Sequence, residues 1–167
     1  MGGASADREE TGVVSRVRAR VDASGARRLL VVLALGLVPW TVAVGVDWTF
    51  VLPFGLVNSD PWALVWLDDY LRFSPFGRYQ AIETYVLGVG VYAGALLSAL
   101  GGAFGVEDRR LTGGLLVVAG VAQFPLVGLY WRLSGPDAVP VGSLLLVLAA
   151  WRLYWPAVEE WIDERVE

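Results

Sequence analysis

Four long stretches of this sequence contain no charged residue, at residues 29–46, 84–106, 111–131 and 138–151. A helix that crosses a bilayer needs about 20 mostly apolar residues, and the first three stretches are long enough. The fourth becomes long enough, at 138–155, if the Arg152 side chain extends to the membrane surface. The sequence therefore predicts an all-α, polytopic membrane protein with four transmembrane helices.

The composition limits the chemistry that such a chain can carry. It is 56% hydrophobic, has a mean hydropathy of +0.55 and is only 18% charged, against roughly 25% in soluble domains. It has no His and no Cys, and all 13 of its basic residues are Arg. This excludes imidazole or thiolate metal sites, His-dependent catalysis and Schiff-base chemistry. We therefore predict no enzymatic activity, catalytic residue, metal or cofactor, and the sequence pI of 4.8 argues against nucleic acid as a partner.

The positions of the arginines predict which way the chain threads. With four spans, ten of the 13 arginines fall on the side that also holds both termini, and cytoplasmic segments of membrane proteins are enriched in Arg. We expect a protein of the cell membrane, with an Arg-rich N-terminal tail at 1–28 and an amphipathic C-terminal tail at 156–167, both in the cytoplasm. A fifth span at 48–67 is the alternative, although Pro53, Gly55 and the turn-forming residues 58–61 argue against a continuous helix there.

The segment 47–83, predicted to lie outside the membrane, holds nine of the 20 aromatic residues. Aromatic side chains of this density are typical of the lipid headgroup region. Asp60 can cap a helix that begins at Pro61. Helical spacing then aligns Trp62, Trp66, Tyr70 and Phe73. The pattern predicts an amphipathic helix that lies on the outer leaflet, with a re-entrant segment at 48–67 as the open alternative.

Six polar residues are the candidates for a solute or reaction site. Asp47 and Glu83 flank the predicted outer ends of the first two spans, and Asp68, Asp69 and Arg72 form a carboxylate pair beside a cation. These five residues have a plainer interpretation as solvated charges. Gln123 is the one amide side chain within the predicted spans, and it is expected to bond a neighbouring helix or a free backbone carbonyl.

Small residues in the second span predict close helix packing. Gly90, Gly94, Ser98, Gly101 and Gly105 recur at helical spacing, and such faces let two backbones approach each other in a membrane. The face can pack within the chain or form a homo-oligomer. In the third span, Pro125 lacks an amide hydrogen and is expected to kink the helix.

Several segments together resemble an uncharacterised family of small four-helix integral membrane proteins of halophilic archaea. These are LGLVPWTV, LPFGLVNSDPW with DDYL, EDRRLTGGLLVVAG, VPVG and YWP. The resemblance covers about residues 29–156 and implies membrane location, but no ligand, partner or functional residue.

Three functions are compatible with the sequence. The first is a non-enzymatic accessory or scaffold protein, whose partners are the lipid bilayer and a membrane protein. The alternative is a carrier or pore for a small neutral or lipid-like solute, using Gln123, the kink at Pro125 and the Gly-rich span. The third is an enzyme of the outer membrane face that uses Asp47, Asp68, Asp69 and Arg72.

Overall fold

The computed structural model describes residues 24–45, 47–73, 80–104, 106–133 and 137–166, with only the backbone for residues 103, 133, 157, 158 and 160–166. The fold is α+β, because helices pack on one face of a five-stranded antiparallel sheet. The prediction of an all-α, four-helix bundle was therefore wrong.

The described elements follow one another as a helix, a four-stranded meander, four helices, a short strand and a long helix. In chain order they are α1 (24–37), β1 (Thr41–Val44), β2 (Trp48–Leu52), β3 (Gly55–Ser59), β4 (Trp62–Trp66), α2 (Leu67–Phe73), α3 (Gln80–Ala103), α4 (Arg109–Val121), α5 (Phe124–Leu133), β5 (Asp137–Val139) and α6 (Val141–Val166).

The sheet has the strand order β4-β3-β2-β1-β5, and all neighbouring strands are antiparallel. Strands β1 to β4 form a local meander, since short turns join each strand to the next. Strand β5 comes from a distant part of the chain and pairs with β1, where Val42 lies opposite Val139 and Val44 opposite Asp137. This pairing ties the end of α1 to the start of α6.

The first and fourth uncharged stretches each contain a strand as well as a helix. Helix α1 ends at residue 37, and the chain continues as β1 after Pro39. Pro39 cannot donate a backbone hydrogen bond, and the TVAV sequence of β1 is rich in residues that favour strands. Likewise, β5 precedes α6. Neither stretch is the single membrane-spanning helix that hydropathy alone predicts.

Two described helical segments are long and apolar enough to cross a membrane, Gln80–Gly102 and Arg109–Arg132, and Val141–Pro156 is a shorter apolar helix. The first corresponds to most of α3. The second joins α4 and α5 across a short break.

The predicted interfacial helix was wrong over its first half. Residues Trp62–Trp66 form strand β4, and only Leu67–Phe73 is helical. Trp62 and Trp66 are four residues apart, a spacing that places two residues on the same face of a helix. The same spacing also places them on one face of a strand, with Leu64 between them. The proposed fifth span at 48–67 is likewise sheet.

Trp40 connects the sheet with three helices. It is fully buried, its indole packs edge-on against Tyr92 of α3 at 5.1 Å, and its indole N–H donates to Leu35 O of α1 at 3.1 Å. Its backbone donates to Val51 O of β2 at 2.7 Å and accepts from Gly142 N of α6 at 3.2 Å. The sheet and the helices therefore share one core.

The sheet lies beside the first half of α3. The hydroxyl of Tyr85 donates to Leu52 O of β2, whereas that of Tyr92 donates to Val32 O of α1. Tyr92 lies about 18 Å along α3 from Gln80, at 1.5 Å per residue. Helix α1 thus runs along the second half of α3, and the sheet takes its place along the first half.

Candidate functional site

The predicted acidic candidates do not converge. Asp47 follows β1, Asp68 and Asp69 lie in the first turn of α2, Glu83 lies in the first turn of α3, and all four are exposed. Arg72, also exposed, is in the last turn of α2. Three cavities that border the helices are lined by other residues.

Gln123 is enclosed at the break between α4 and α5. Its side chain is fully buried, and Nε2 donates to Ala119 O at 3.4 Å. Gly88 of α3 leaves room for it, since a Cβ atom there would come within 2.5 Å of Gln123 Nε2. Within the described residues, Gln123 Oε1 has no hydrogen-bond partner. Pro125 lies just past the break, at the second residue of α5.

The small residues of α3 pack mainly inside the chain. Ser98 Oγ lies 2.7 Å from Thr112 Oγ1 of α4. A Cβ atom at Gly94 would contact Leu115, which is also on α4. Gly101 approaches the backbone of Val106. A Cβ at Gly90 would meet nothing within 4 Å, and Gly105 is outside the described residues. Most of this face is thus used by contacts within one chain.

One face of the sheet is covered and the other is apolar but uncovered. Val51 and Leu56 face the helices and are buried. The opposite face, here called the outer sheet face, carries large exposed side chains: Trp48, Trp62, Leu64 and Trp66. Their positions follow from the register, since residues 62, 64 and 66 share one side of β4.

The outward sides of the helices are also apolar. No charged residue is exposed on α1 between Leu30 and Leu37 or on α3 between Leu87 and Leu100. The same holds on α4 from Leu111 to its end. The exposed leucines on α6, Leu144 and Leu148, continue this surface, here called the apolar belt.

Arginines gather at the end of the apolar belt that is farther from the sheet. A cavity of about 450 Å³, here called the arginine cavity, lies between the start of α1 and the middle of α6. It is lined by Ser24, Arg27, Arg28, Arg152 and Leu153. Arg28 Nε and NH2 contact Glu107 Oε2 at 2.9 and 2.8 Å. The side chains of this pair are only 13% and 4% exposed.

Two other cavities border the helices. An outer cleft of about 460 Å³ separates α3 from α5 and is lined by Gln80, Ala81, Thr84, Pro125, Gly128, Leu129 and Arg132. A groove of about 300 Å³ between α4 and α6 is almost entirely apolar, with Arg110 and Trp151 among its lining residues. Gln123 lines neither of them.

Sequence reasoning missed the arginine cavity and the outer sheet face as sites. The arginines were interpreted only as orientation signals, although Arg27, Arg28 and Arg152 share the end of the helices. For β4, the alternation of large residues at 62, 64 and 66 was the available signal, and it was interpreted with a helical period.

The described residues place this chain among α+β proteins, with an apolar belt on the helices and an uncovered apolar face on the sheet. They contain no group of three or more His, Cys, Asp or Glu that could hold a metal ion, and nothing in them indicates an enzymatic activity. Residues 9–164 match the model of a family described as a domain of unknown function, DUF8050, and the chain belongs to that family. Comparison with curated proteins and with solved structures gave no match.

Proposed function

We propose that this protein is a non-enzymatic accessory protein of the cell membrane, which uses its outer sheet face to dock another integral membrane protein. The observation that carries the proposal is the apolar character of that face. A sheet with one covered face normally presents polar side chains to water on the other, whereas Trp48, Trp62, Leu64 and Trp66 are 45–78% exposed. Uncovered apolar patches of this kind mark interaction sites.

Membrane location, the first part of the proposal, is supported by the apolar belt. A soluble protein would place polar residues on the outward faces of its helices, and the belt has none that are charged. Helix α3 and the joined α4 and α5 are proposed to cross the bilayer. The end with Arg27, Arg109 and Arg152 would then face the cytoplasm, and the sheet would lie towards the outer side. The acidic, lysine-free composition fits a halophilic archaeal origin.

The second part of the proposal is that a protein, and not lipid, covers the outer sheet face. The open edge of the sheet supports it. Strand β4 is the last strand of the described sheet, so one side of its backbone pairs with no strand there. Backbone groups without partners are very unfavourable in hydrocarbon, and edge strands readily pair with other chains. A partner protein can cover the tryptophans and also bond this edge.

The carrier alternative is less well supported. The outer cleft opens beside Pro125, but the interior of the helices beyond it is filled. Tyr92, Leu116 and Leu146 are 0–7% exposed there, and Gln123 is enclosed rather than open to a cavity. A solute path would require these side chains to separate.

Photo-crosslinking tests the proposal. In the test variant, a photoreactive amino acid replaces Leu64 on the outer sheet face. In the matched control, the same amino acid replaces Leu33 in the apolar belt. Both proteins are expressed in their native membrane. We expect one discrete protein adduct from position 64, which is lost when Trp62→Ser and Trp66→Ser are added, and lipid adducts from position 33. Only lipid adducts from position 64 would contradict docking of a protein.

A further inference from the structure

The arginine cavity concentrates positive charge that the contacts within the fold only partly neutralise. Three of its five lining residues are arginines. Arg27 and Arg152 are exposed, and neither forms an ion pair within the described part of the chain. On α6, the nearest described carboxylate, Glu159, lies about two turns beyond Arg152.

Arg28 is held in place by the carboxylate of Glu107. Both Arg28 Nε and NH2 contact the same oxygen of Glu107, so this edge of the guanidinium is directed towards the carboxylate. Glu107 cancels one charge, so the three arginines retain a net charge of about +2. Guanidinium groups favour phosphate, because their N–H donors match its oxygens in pairs.

Apolar residues adjoin the cavity on both helices. Leu30 lies three residues after Arg27 on α1, and Leu148 lies four residues before Arg152 on α6. Residues at these spacings lie on the same side of a helix. Both leucines are more than half exposed, and they lead from the arginines into the apolar belt. A ligand that follows this path needs a charged head and a long apolar tail.

We propose that the arginine cavity binds the phosphate group of an anionic glycerophospholipid of the cytoplasmic leaflet, whose hydrocarbon chains lie along Leu30 and Leu148. Basic pockets between helices at the cytoplasmic surface bind such headgroups in other membrane proteins. The proposal rests on the membrane location included in the proposed function, but it does not depend on docking at the outer sheet face.

Native mass spectrometry of the full-length protein in detergent tests the lipid site. The protein is titrated with phosphatidylglycerol, with phosphatidylcholine and with inorganic phosphate. The test variant is Arg27→Gln with Arg152→Gln, and Arg28 is kept because its loss would leave Glu107 buried without its partner. Arg72→Gln, on α2, is the matched control for loss of an exposed arginine.

We expect phosphatidylglycerol to bind more tightly than phosphatidylcholine and its affinity to fall by roughly tenfold in the double variant. The Arg72→Gln variant should bind as the parent does. A second double variant, Arg27→Lys with Arg152→Lys, keeps the charge but loses the paired N–H donors, so its affinity should lie between that of the parent and that of the double Gln variant. This result would separate loss of the site from loss of the fold.

Three results would overturn the proposal. Equal affinity for the two lipids, or unchanged affinity in the double Gln variant, would show that the cavity does not select an anionic headgroup. Displacement of the lipid by millimolar inorganic phosphate would assign the cavity to free phosphate. Reconstitution in nanodiscs distinguishes failure of the lipid site from failure of the proposed membrane location. If the protein did not enter nanodiscs, membrane location itself would be contradicted.

Discussion

The ion pair between Arg28 and Glu107 joins the start of α1 to the loop before α4. Both side chains are largely removed from solvent, and the loop that carries Glu107 continues into Asp108, whose carboxylate caps α4 by accepting from the backbone N–H groups of Arg110 and Leu111. Charges that leave water are stabilised only when they are paired. The pair therefore fixes how two helices meet at the arginine-rich end.

Removing one partner of this pair should destabilise the fold. We expect Glu107→Gln to lower the free energy of unfolding by about 3 kcal/mol, because the charge of Arg28 stays largely buried without its partner. Thermal unfolding in detergent measures the change. Glu83→Gln, which alters an exposed residue of α3, should leave the midpoint unchanged. The variant Arg28→Leu with Glu107→Leu should recover much of the loss, and a midpoint as low as that of Glu107→Gln would contradict this explanation.

Two helical glycines, one in a crowded position and one in an open position, should respond differently to replacement by Ala. At Gly142 in α6, a Cβ atom would come within 2.6 Å of Trp40 Cα and 2.8 Å of Pro39 O, neither of which is a flexible side-chain end, while at Gly90 it would meet nothing within 4 Å. We expect Gly142→Ala to cost about 2 kcal/mol through overpacking. Gly90→Ala should be neutral or stabilise by at most about 1 kcal/mol. Equal unfolding midpoints for the two variants would show that α6 does not approach Trp40 this closely.

At the scale of elements, hydropathy located the long helices but not the sheet. The stretches 84–106 and 111–131 lie largely in α3 and in α4 with α5, because a charge-free run of this length with few strand-forming signals favours a helix. The stretch 29–46 looked equally continuous, since a buried strand and a buried helix are both apolar throughout. Pro39 and the TVAV sequence after it were the local signs of a change. The pairing of β5 with β1 depends on contacts between distant segments, which no local pattern contains.

The pairing of β1 with β5 can be tested because the chain has no Cys. Val42 and Val139 lie directly opposite each other on neighbouring antiparallel strands, so their side chains share one face of the sheet. We expect Val42→Cys with Val139→Cys to form an intrachain disulfide on mild oxidation, detected by thiol alkylation and mass spectrometry. In Val42→Cys with Ala138→Cys the side chains point to opposite faces. Equal oxidation of both pairs would contradict the register.

At the scale of the whole molecule, the apolar belt and the outer sheet face lie on different parts of one fold. Helix α1 runs along the second half of α3, and the sheet takes its place along the first half, with Trp40 at the junction. Helix α6 packs on α4. The belt alone would suit a membrane anchor of any function. The uncovered sheet face is what favours docking, and the arginine cavity marks the opposite end of the helices.

Membrane location is the claim on which both proposals depend, and spin labelling measures it directly. A label on Val118→Cys would sit on the exposed, apolar side of α4, and a label on Asp68→Cys would sit on exposed α2. In lipid vesicles, we predict that the label at 118 collides more with oxygen than with a water-soluble nickel complex, and that the label at 68 does the reverse. If the nickel complex reached position 118 as readily as position 68, the apolar belt would face water and the membrane assignment would be wrong.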